Sequence, residues 1–157
     1  MIGHLLFSFV LETKYVYNNV MRILCLDVGD KKIGISLSDP TYSIAQGLKV
    51  FRRNSIKNDM KEFKQIVAEH EISEIVIGLP KDLNGSLGKK AQEVMDFAEE
   101  IKKAISVPVT YWDERFSTNE AHRIFDMAEI THKKRRPFLD VMASQIILQG
   151  YLDARKR

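Results

Sequence analysis

The sequence predicts an α/β fold: a mixed sheet of five strands, the first three antiparallel, flanked by helices. Three observations carry this expectation. Strand-like apolar runs joined by short turns open the domain, and hairpins of that kind are antiparallel. The pattern then changes to helical periodicity alternating with short apolar runs, as in parallel crossover units. One of those runs, Ile75-Val76-Ile77, is continuous, which suits a strand covered on both faces.

Ile23 to Leu26 reads as strand one and ends at Asp27. After a Gly29-Asp30-Lys31 turn, Ile33, Ile35 and Leu37 alternate with small residues, a half-buried second strand. Asp39-Pro40 marks a turn, and Leu48 to Phe51 reads as strand three. Asn58 or Asp59 caps a helix that turns Met60, Phe63, Ile66 and Val67 inward. Strand four, Ile75 to Ile77, is stopped by Gly78 and Pro80. A loop with Asn84-Gly85 and Gly88 leads to a helix with Ala91, Val94, Phe97, Ala98 and Ile101 at core spacing. Val107 to Trp112 reads as strand five, closed by Asp113-Glu114-Arg115. Ser117 or Thr118 caps a helix containing Ala121, Ile124 and Phe125. Pro137 suits the first turn of a last helix, with Leu139, Met142, Ile146 and Tyr151 as its core positions.

A chain of 157 residues suggests one domain, long enough to bury a core without disulfides. We place that domain at residues 21–157 and read residues 1–20 as a non-native or flexible extension, with Met21 the natural start. Gly3 to Val10 is apolar, but no basic residue precedes it and it is too short to span a bilayer. Cys25 is the only cysteine, which excludes an intramolecular disulfide framework and a cysteine-based zinc module. That fits a cytoplasmic protein with no membrane role. The net charge of +3 leans weakly toward an anionic partner. Lys133, Lys134, Arg135 and Arg136 form one basic run, either a solvated loop or a phosphate-facing patch.

The acidic residues carry the strongest chemical signal. Asp27 closes one strand, Asp113 and Glu114 close another, and Asp140 lies near the start of the last helix. Crevices in α/β sheets lie off strand ends. Carboxylates gathered there are what magnesium or manganese requires, since these hard cations take oxygen ligands. Two such ions about 3.5–4 Å apart activate a water and stabilise the leaving oxygen in phosphodiester cleavage. Equally, acids often end strands, and Asp140 suits a helix N-terminus. If strands one, four and five are adjacent, the first and fifth ends lie roughly 10 Å apart. Asp113 and Glu114 face opposite sides of a regular strand, so only one of them can be a direct ligand unless the strand bends; Glu114 is preferred for its reach. Arg115 either clamps phosphate or pairs with a carboxylate. Gly29 and Gly34 suit a tight turn and a close backbone approach; Gly85 and Gly88 either admit a phosphate backbone or simply make turns. His70, His122 and His132 lack metal-ligand spacing.

These residues resemble a family. Asp27-Val-Gly-Asp-Lys-Lys-Ile-Gly34 with Ser38-Asp39 resembles the opening motif of the YqgF/RuvX proteins. Gly78-Leu-Pro80 with Asn84-Gly-Ser-Leu-Gly88, Asp113-Glu-Arg115 with Ser117-Thr118, and Leu139-Asp140-Val-Met-Ala143 with Ile147 to Asp153 resemble the later motifs, in order. The resemblance runs from about Met21 to Asp153. It implies an RNase H-like fold and a divalent-metal nuclease using Mg²⁺ or Mn²⁺, as two ions. The implied substrates are pre-16S rRNA, processed at its 5′ end in ribosome biogenesis, and the Holliday junction. It implies Asp27, the pair Asp113/Glu114 and Asp140 as active-site residues, with Asp27, Glu114 and Asp140 on the metal. Gly29, Lys32, Gly85, Gly88, Arg115 and the Lys133–Arg136 run would meet substrate. It departs from the family at Lys32 (usually arginine), Ser117 (usually threonine) and Ser144 (usually alanine). Strand four ends in Gly-Leu-Pro rather than an acid, so strand five supplies the second carboxylate.

Partners on this reading are pre-rRNA or branched DNA, the ribosome, and a second copy, since a resolvase presents two active sites. Two other classes stay open: a non-catalytic RNA-binding ribosome-assembly factor built on the basic run, and an actin-like phosphate-binding ATPase, for which the chain is short.

Overall fold

The computed structural model describes residues 20–114, 123–135 and 138–156. The expected extension, the Ser117/Thr118 cap, Pro137, Arg115 and Arg136 lie outside the described residues, the extension except for Val20.

The sheet has five strands: β1 (Arg22–Val28), β2 (Lys32–Ser38), β3 (Ala45–Arg52), β4 (Ile72–Leu79) and β5 (Val109–Asp113). Their order is β3-β2-β1-β4-β5. β1 pairs antiparallel with β2 and parallel with β4, β2 pairs antiparallel with β3, and β5 joins β4 in parallel. The mixed sheet therefore matches the expected one, and strands one, four and five are neighbours in that order. β5 begins two residues later than the sequence suggested, because Pro108 has no N–H for the ladder; its carbonyl accepts from Ile75 instead.

Helices α1 (Ile56–Glu69) and α2 (Lys89–Ala104) cover one face. Met60, Phe63 and Ile66 of α1 and Ala91, Val94, Phe97, Ala98 and Ile101 of α2 are buried against Leu24, Leu26, Ile33, Ile35, Ile75 and Ile77. The cap of α1 is Ser55 rather than Asn58 or Asp59: its hydroxyl accepts from the Asn58 N–H at 3.3 Å. Asp59 instead lies buried in the first turn, accepting from the Asn54 N–H at 3.0 Å and facing Arg53 at 3.8 Å.

Helix α3 (Leu139–Arg155) covers the other face. Its buried residues are Ala143, Ser144, Ile147, Leu148 and Leu152, packed with Ile23, Cys25 and Val76. The sequence expectation of Leu139, Met142, Ile146 and Tyr151 as core is corrected: these are only partly buried. The helix is apolar nearly all round, so periodicity alone does not select its inner face. Sheet glycines select it instead. A Cβ at Gly34 would stand 2.0 Å from the Asp140 carbonyl oxygen, and one at Gly47 would stand 2.3 Å from Val141 Cγ1. Two hydrogen-bonded glutamines lock that seat. Gln149 accepts from the Ala45 N–H at 2.9 Å and donates to the Ser43 carbonyl at 3.0 Å, and Gln145 donates to the Ala45 carbonyl at 3.0 Å. Between β5 and α3, residues 123–127 and His132–Arg135 form short helical turns. No helix among the described residues is long and apolar enough to cross a membrane.

Candidate active site: a carboxyl pair across three strand ends

Strand alternation puts Ile23, Cys25 and Asp27 of β1 on the α3 face of the sheet. The Asp27–Gly34 pairing and the Leu26–Ile77 pairing set Asp27 beside Gly34 on one side and next to Gly78 on the other. Gly78 pairs in turn with Trp112 of β5, and the ladder runs on through Glu114, whose N–H donates to the Leu79 carbonyl at 3.3 Å. Glu114 therefore shares a face with Asp27, and Asp113 points to the other. A Cβ at Gly78 would lie 2.6 Å from Glu114 Oε2 and 2.8 Å from Ile147 Cδ1, so the missing side chain is the space the Glu114 carboxylate occupies.

Across that gap the Asp27 and Glu114 carboxyl groups hydrogen-bond to each other. Two carboxyls can do so only if one carries a proton. Burial, followed by the charge of Asp27, pushes Glu114 up to about 8. Asp27 is also raised, by burial first and by Asp140 as well, while its bond to Glu114 and the charge of Lys90 pull the other way. Strong displacement of neighbouring acids in this manner is a mark of a functional site.

Asp140 stands at the first turn of α3, brought over β2 by Gly34, and its carboxylate lies 3.6 Å from Lys32 Nζ. Lys90, from the first turn of α2, pairs with Asp30 and lies 3.7 Å from Glu93 while its charge reaches both Asp27 and Glu114. Sequence reasoning missed Lys90, and it read Gly78 as a strand stop and motif residue without the space it gives Glu114. A lysine just inside a helix, and a glycine where a strand-ending acid would stand, were the available signals.

The remaining predicted residues separate. Asp113 faces Lys81 at 3.8 Å, away from the pair. Gly29 is a turn residue. Its N–H donates to the Lys32 carbonyl at 2.8 Å, its carbonyl accepts from Arg53 Nη1 at 2.9 Å, and a Cβ would meet the Lys32 oxygen at 2.7 Å. Gly85 takes the left-handed conformation at φ 84° within a closed turn, and Gly88 caps α2 without a side-chain bond. Of the basic run, Lys133 and Lys134 are exposed. Arg135, by contrast, is 5% exposed, donates from Nε to the Ile130 carbonyl at 2.5 Å, pairs with Asp126 and lies over the Phe125 ring. Its guanidinium fastens the segment before α3.

The chemistry of the pair fits a hard divalent cation. All its donor atoms are carboxylate oxygens, and a shared proton holds together charges that a cation would neutralise better. Among the described residues, no three His, Cys, Asp or Glu groups already converge at metal-holding distances.

Comparison with known proteins shows the family and the fold. The family model described as "RuvX: Holliday junction resolvase" matches residues 21–154. A protein of Thermoanaerobacter pseudethanolicus, named as a candidate pre-16S rRNA nuclease, is 48% identical over 137 residues, covering 87% of this chain and 99% of that protein. One of the same name from Desulforamulus reducens is 46% identical over 134 residues, covering 85% and 98%. Among solved structures, Thermus thermophilus RuvC in complex with a Holliday junction substrate aligns with a TM-score of 0.53 at 13% identity. It covers 87% of this chain and 96% of that one. The fowlpox virus resolvase, solved with Holliday junction DNA, aligns with a TM-score of 0.55 at 13% identity, covering 87% and 100%. At these identities the structures show a shared RNase H-like fold.

Proposed function

The chain belongs to the RuvX Holliday junction resolvase family, and from that premise we propose that it is a divalent-metal-dependent nuclease that hydrolyses phosphodiester bonds. Its substrate on this reading is pre-16S rRNA at the 5′ end, as the names of its relatives suggest, or a branched DNA. The observation that carries the reading is the Asp27–Glu114 carboxyl pair, built across three strand ends and faced by Asp140 on α3.

Asp27 and Glu114, with Asp140, are the residues that would hold Mg²⁺ or Mn²⁺. When bound, such an ion supplies Lewis acidity at the phosphoryl group and lowers the pKa of a water. The chain's own groups prepare that event. Burial of Asp27 and Glu114 makes their negative charges costly when left unpartnered, which turns the pair into a cation trap. Lys32 holds Asp140 and stands ready for phosphate, and Lys90 adds positive potential beside the pair. Lys133 and Lys134 supply non-specific attraction to the nucleic-acid backbone. Asp113 has a supporting place beside Lys81. The rRNA reading brings contact with the ribosome in the cytoplasm. The junction reading requires paired active sites and hence a homodimer.

Side-by-side cleavage of precursor 16S RNA and a four-way DNA junction, with Mg²⁺, Mn²⁺ or EDTA, tests the proposal. Metal-dependent cutting that Asp27→Asn removes supports it, and the preferred substrate selects the role. A folded protein that binds RNA but cuts neither substrate would sink it.

A further inference from the structure

Strands β2 and β3 set two cations directly opposite each other. Lys32 and Arg52 are register partners at the strand ends. Cβ atoms so paired stand about 4.5–5.5 Å apart, and like charges there are destabilising. Phe51 packs its ring on Phe63 of α1. Alternation therefore sends Arg52 to the α3 face, where Lys32 Nζ lies 3.6 Å from the Asp140 carboxylate. Arg52 is exposed, and among the described residues its side chain makes no ion pair or hydrogen bond. A pair that costs stability, with one member left unpartnered, fits a ligand that brings the missing negative charge.

The position of the pair says which ligand. Gly34, the partner of Asp27, stands two residues along β2 from Lys32 and so on the same face. Across the strand ends that face carries Glu114, Asp27, Lys32 and Arg52 in turn, two acids and then two cations. From β1 to β3 is two strand spacings, about 10 Å. The other side of the sheet end repels an anion. Its groove, which Arg52 also borders, is walled by Asp30, Glu93, Asp96 and Glu100. A polyanion running over the acid pair therefore meets its cations on the α3 face. Arg52 offers a planar fork of donors and Lys32 a mobile point charge, a complementary set for the oxygens of one phosphate.

We propose that Lys32 and Arg52 clamp one backbone phosphate of the substrate strand, flanking the phosphate that is cut. This rests on the nuclease reading above and gives the exposed Arg52 its ligand.

The test uses the full chain with Lys32→Ala, Arg52→Ala, the double variant and Arg52→Lys, each checked by thermal melts. The probes are a fluorescein-labelled single-stranded RNA and a four-way DNA junction, titrated in EDTA across a salt series so that binding is read without cutting. Each alanine variant should weaken binding to both probes several-fold. The double variant should lose less than the product of the two losses, since either cation alone is a broken clamp. It should lower the magnitude of the log-affinity against log-salt slope by about 1, the loss of one phosphate. Arg52→Lys should keep the slope and recover part of the affinity. Arg52→Ala should melt no lower than wild type, because it relieves the like-charge pair. A neutral methylphosphonate, walked along one strand of the junction, should find a linkage that weakens the wild type and costs Arg52→Ala nothing further. That linkage should flank the cut mapped in Mg²⁺. Independent losses with a slope change of about 2 would overturn the clamp in favour of two separate contacts. Weaker binding accompanied by a lower melt would make Arg52 structural, and overturns it too. So would unchanged binding with self-association of Arg52→Ala in sedimentation, because Arg52 would then guard the edge strand β3. Metal-dependent cutting with the clamp signals absent overturns this inference and leaves the nuclease reading standing. Clamp signals in EDTA with no cutting in either metal do the reverse.

Discussion

Asp27 and Glu114 hydrogen-bond across the sheet although their strands, β1 and β5, are not neighbours. The strand between them contributes Gly78 at that level, so the Glu114 carboxylate lies over bare backbone to reach Asp27. The arrangement makes the two acids one functional unit, and it sets the terms on which each should fail.

Asp27→Asn keeps the size and hydrogen-bonding reach of the side chain but removes the charge that a cation needs. Activity in Mg²⁺ or Mn²⁺ should fall by more than about a hundredfold, while the melting temperature stays level or rises, since a buried charge is removed. Glu114→Gln should behave alike. Asp113→Asn, facing Lys81 on the other side, should retain most activity. Cleavage rates and melts on the same preparations check all three.

The pH dependence of stability has a definite sign. Glu114 is raised from 4.5 to about 8 by burial and by Asp27. Its contribution is therefore fully present below about pH 4.5 and is lost as pH rises through about 8. In EDTA, the melting temperature should fall by several degrees across that window, and Glu114→Gln should flatten the fall. A wild-type profile with no downward slope there would show that the pair does not share a proton.

Two glycines should separate stability from activity. A Cβ at Gly34 meets the backbone of Asp140 at 2.0 Å, which α3 cannot avoid without shifting. Gly34→Ala should cost about 1–3 kcal/mol in urea unfolding. A Cβ at Gly78 meets chiefly the far ends of two flexible side chains, Glu114 and Ile147. Gly78→Ala should cost less in stability yet lower cleavage sharply, because Glu114 is displaced from Asp27. Equal stability losses in the two variants would contradict this division.

The fold was legible because its signals are local. Ile75-Val76-Ile77 is buried on both faces as a continuous apolar run should be, and the five predicted core positions of α2 are all buried. The inner face of α3 was not legible. It is set by where Gly34 and Gly47 admit the helix, a relationship about a hundred residues long in sequence. Alternation along β5 correctly separated Asp113 from Glu114. Nothing local, however, revealed that Gly78 makes room for the Glu114 carboxylate, or that Lys90 arrives from α2 to balance it. The burial of Arg135 was not legible, because a basic run reads the same whichever of its members turns inward; packing on Phe125 and pairing with Asp126 set it.

That last distinction can be measured. Arg135→Ala removes a bond to the Ile130 carbonyl and the pairing with Asp126, so it should cost about 1–3 kcal/mol of stability. Asp126 is itself 64% exposed and is rehydrated once its partner is gone, which keeps the loss toward the lower end. Lys133→Ala/Lys134→Ala should leave stability within about 0.5 kcal/mol, as surface changes usually do. The binding experiment should rank them the other way. If both lysines meet phosphates, the double variant lowers the magnitude of the log-affinity against log-salt slope by about 2, one unit for each lost contact. Arg135→Ala should leave that slope unchanged at temperatures where it remains folded. A salt slope that tracks Arg135 rather than the two lysines would mean the guanidinium leaves its seat on Phe125 when nucleic acid binds.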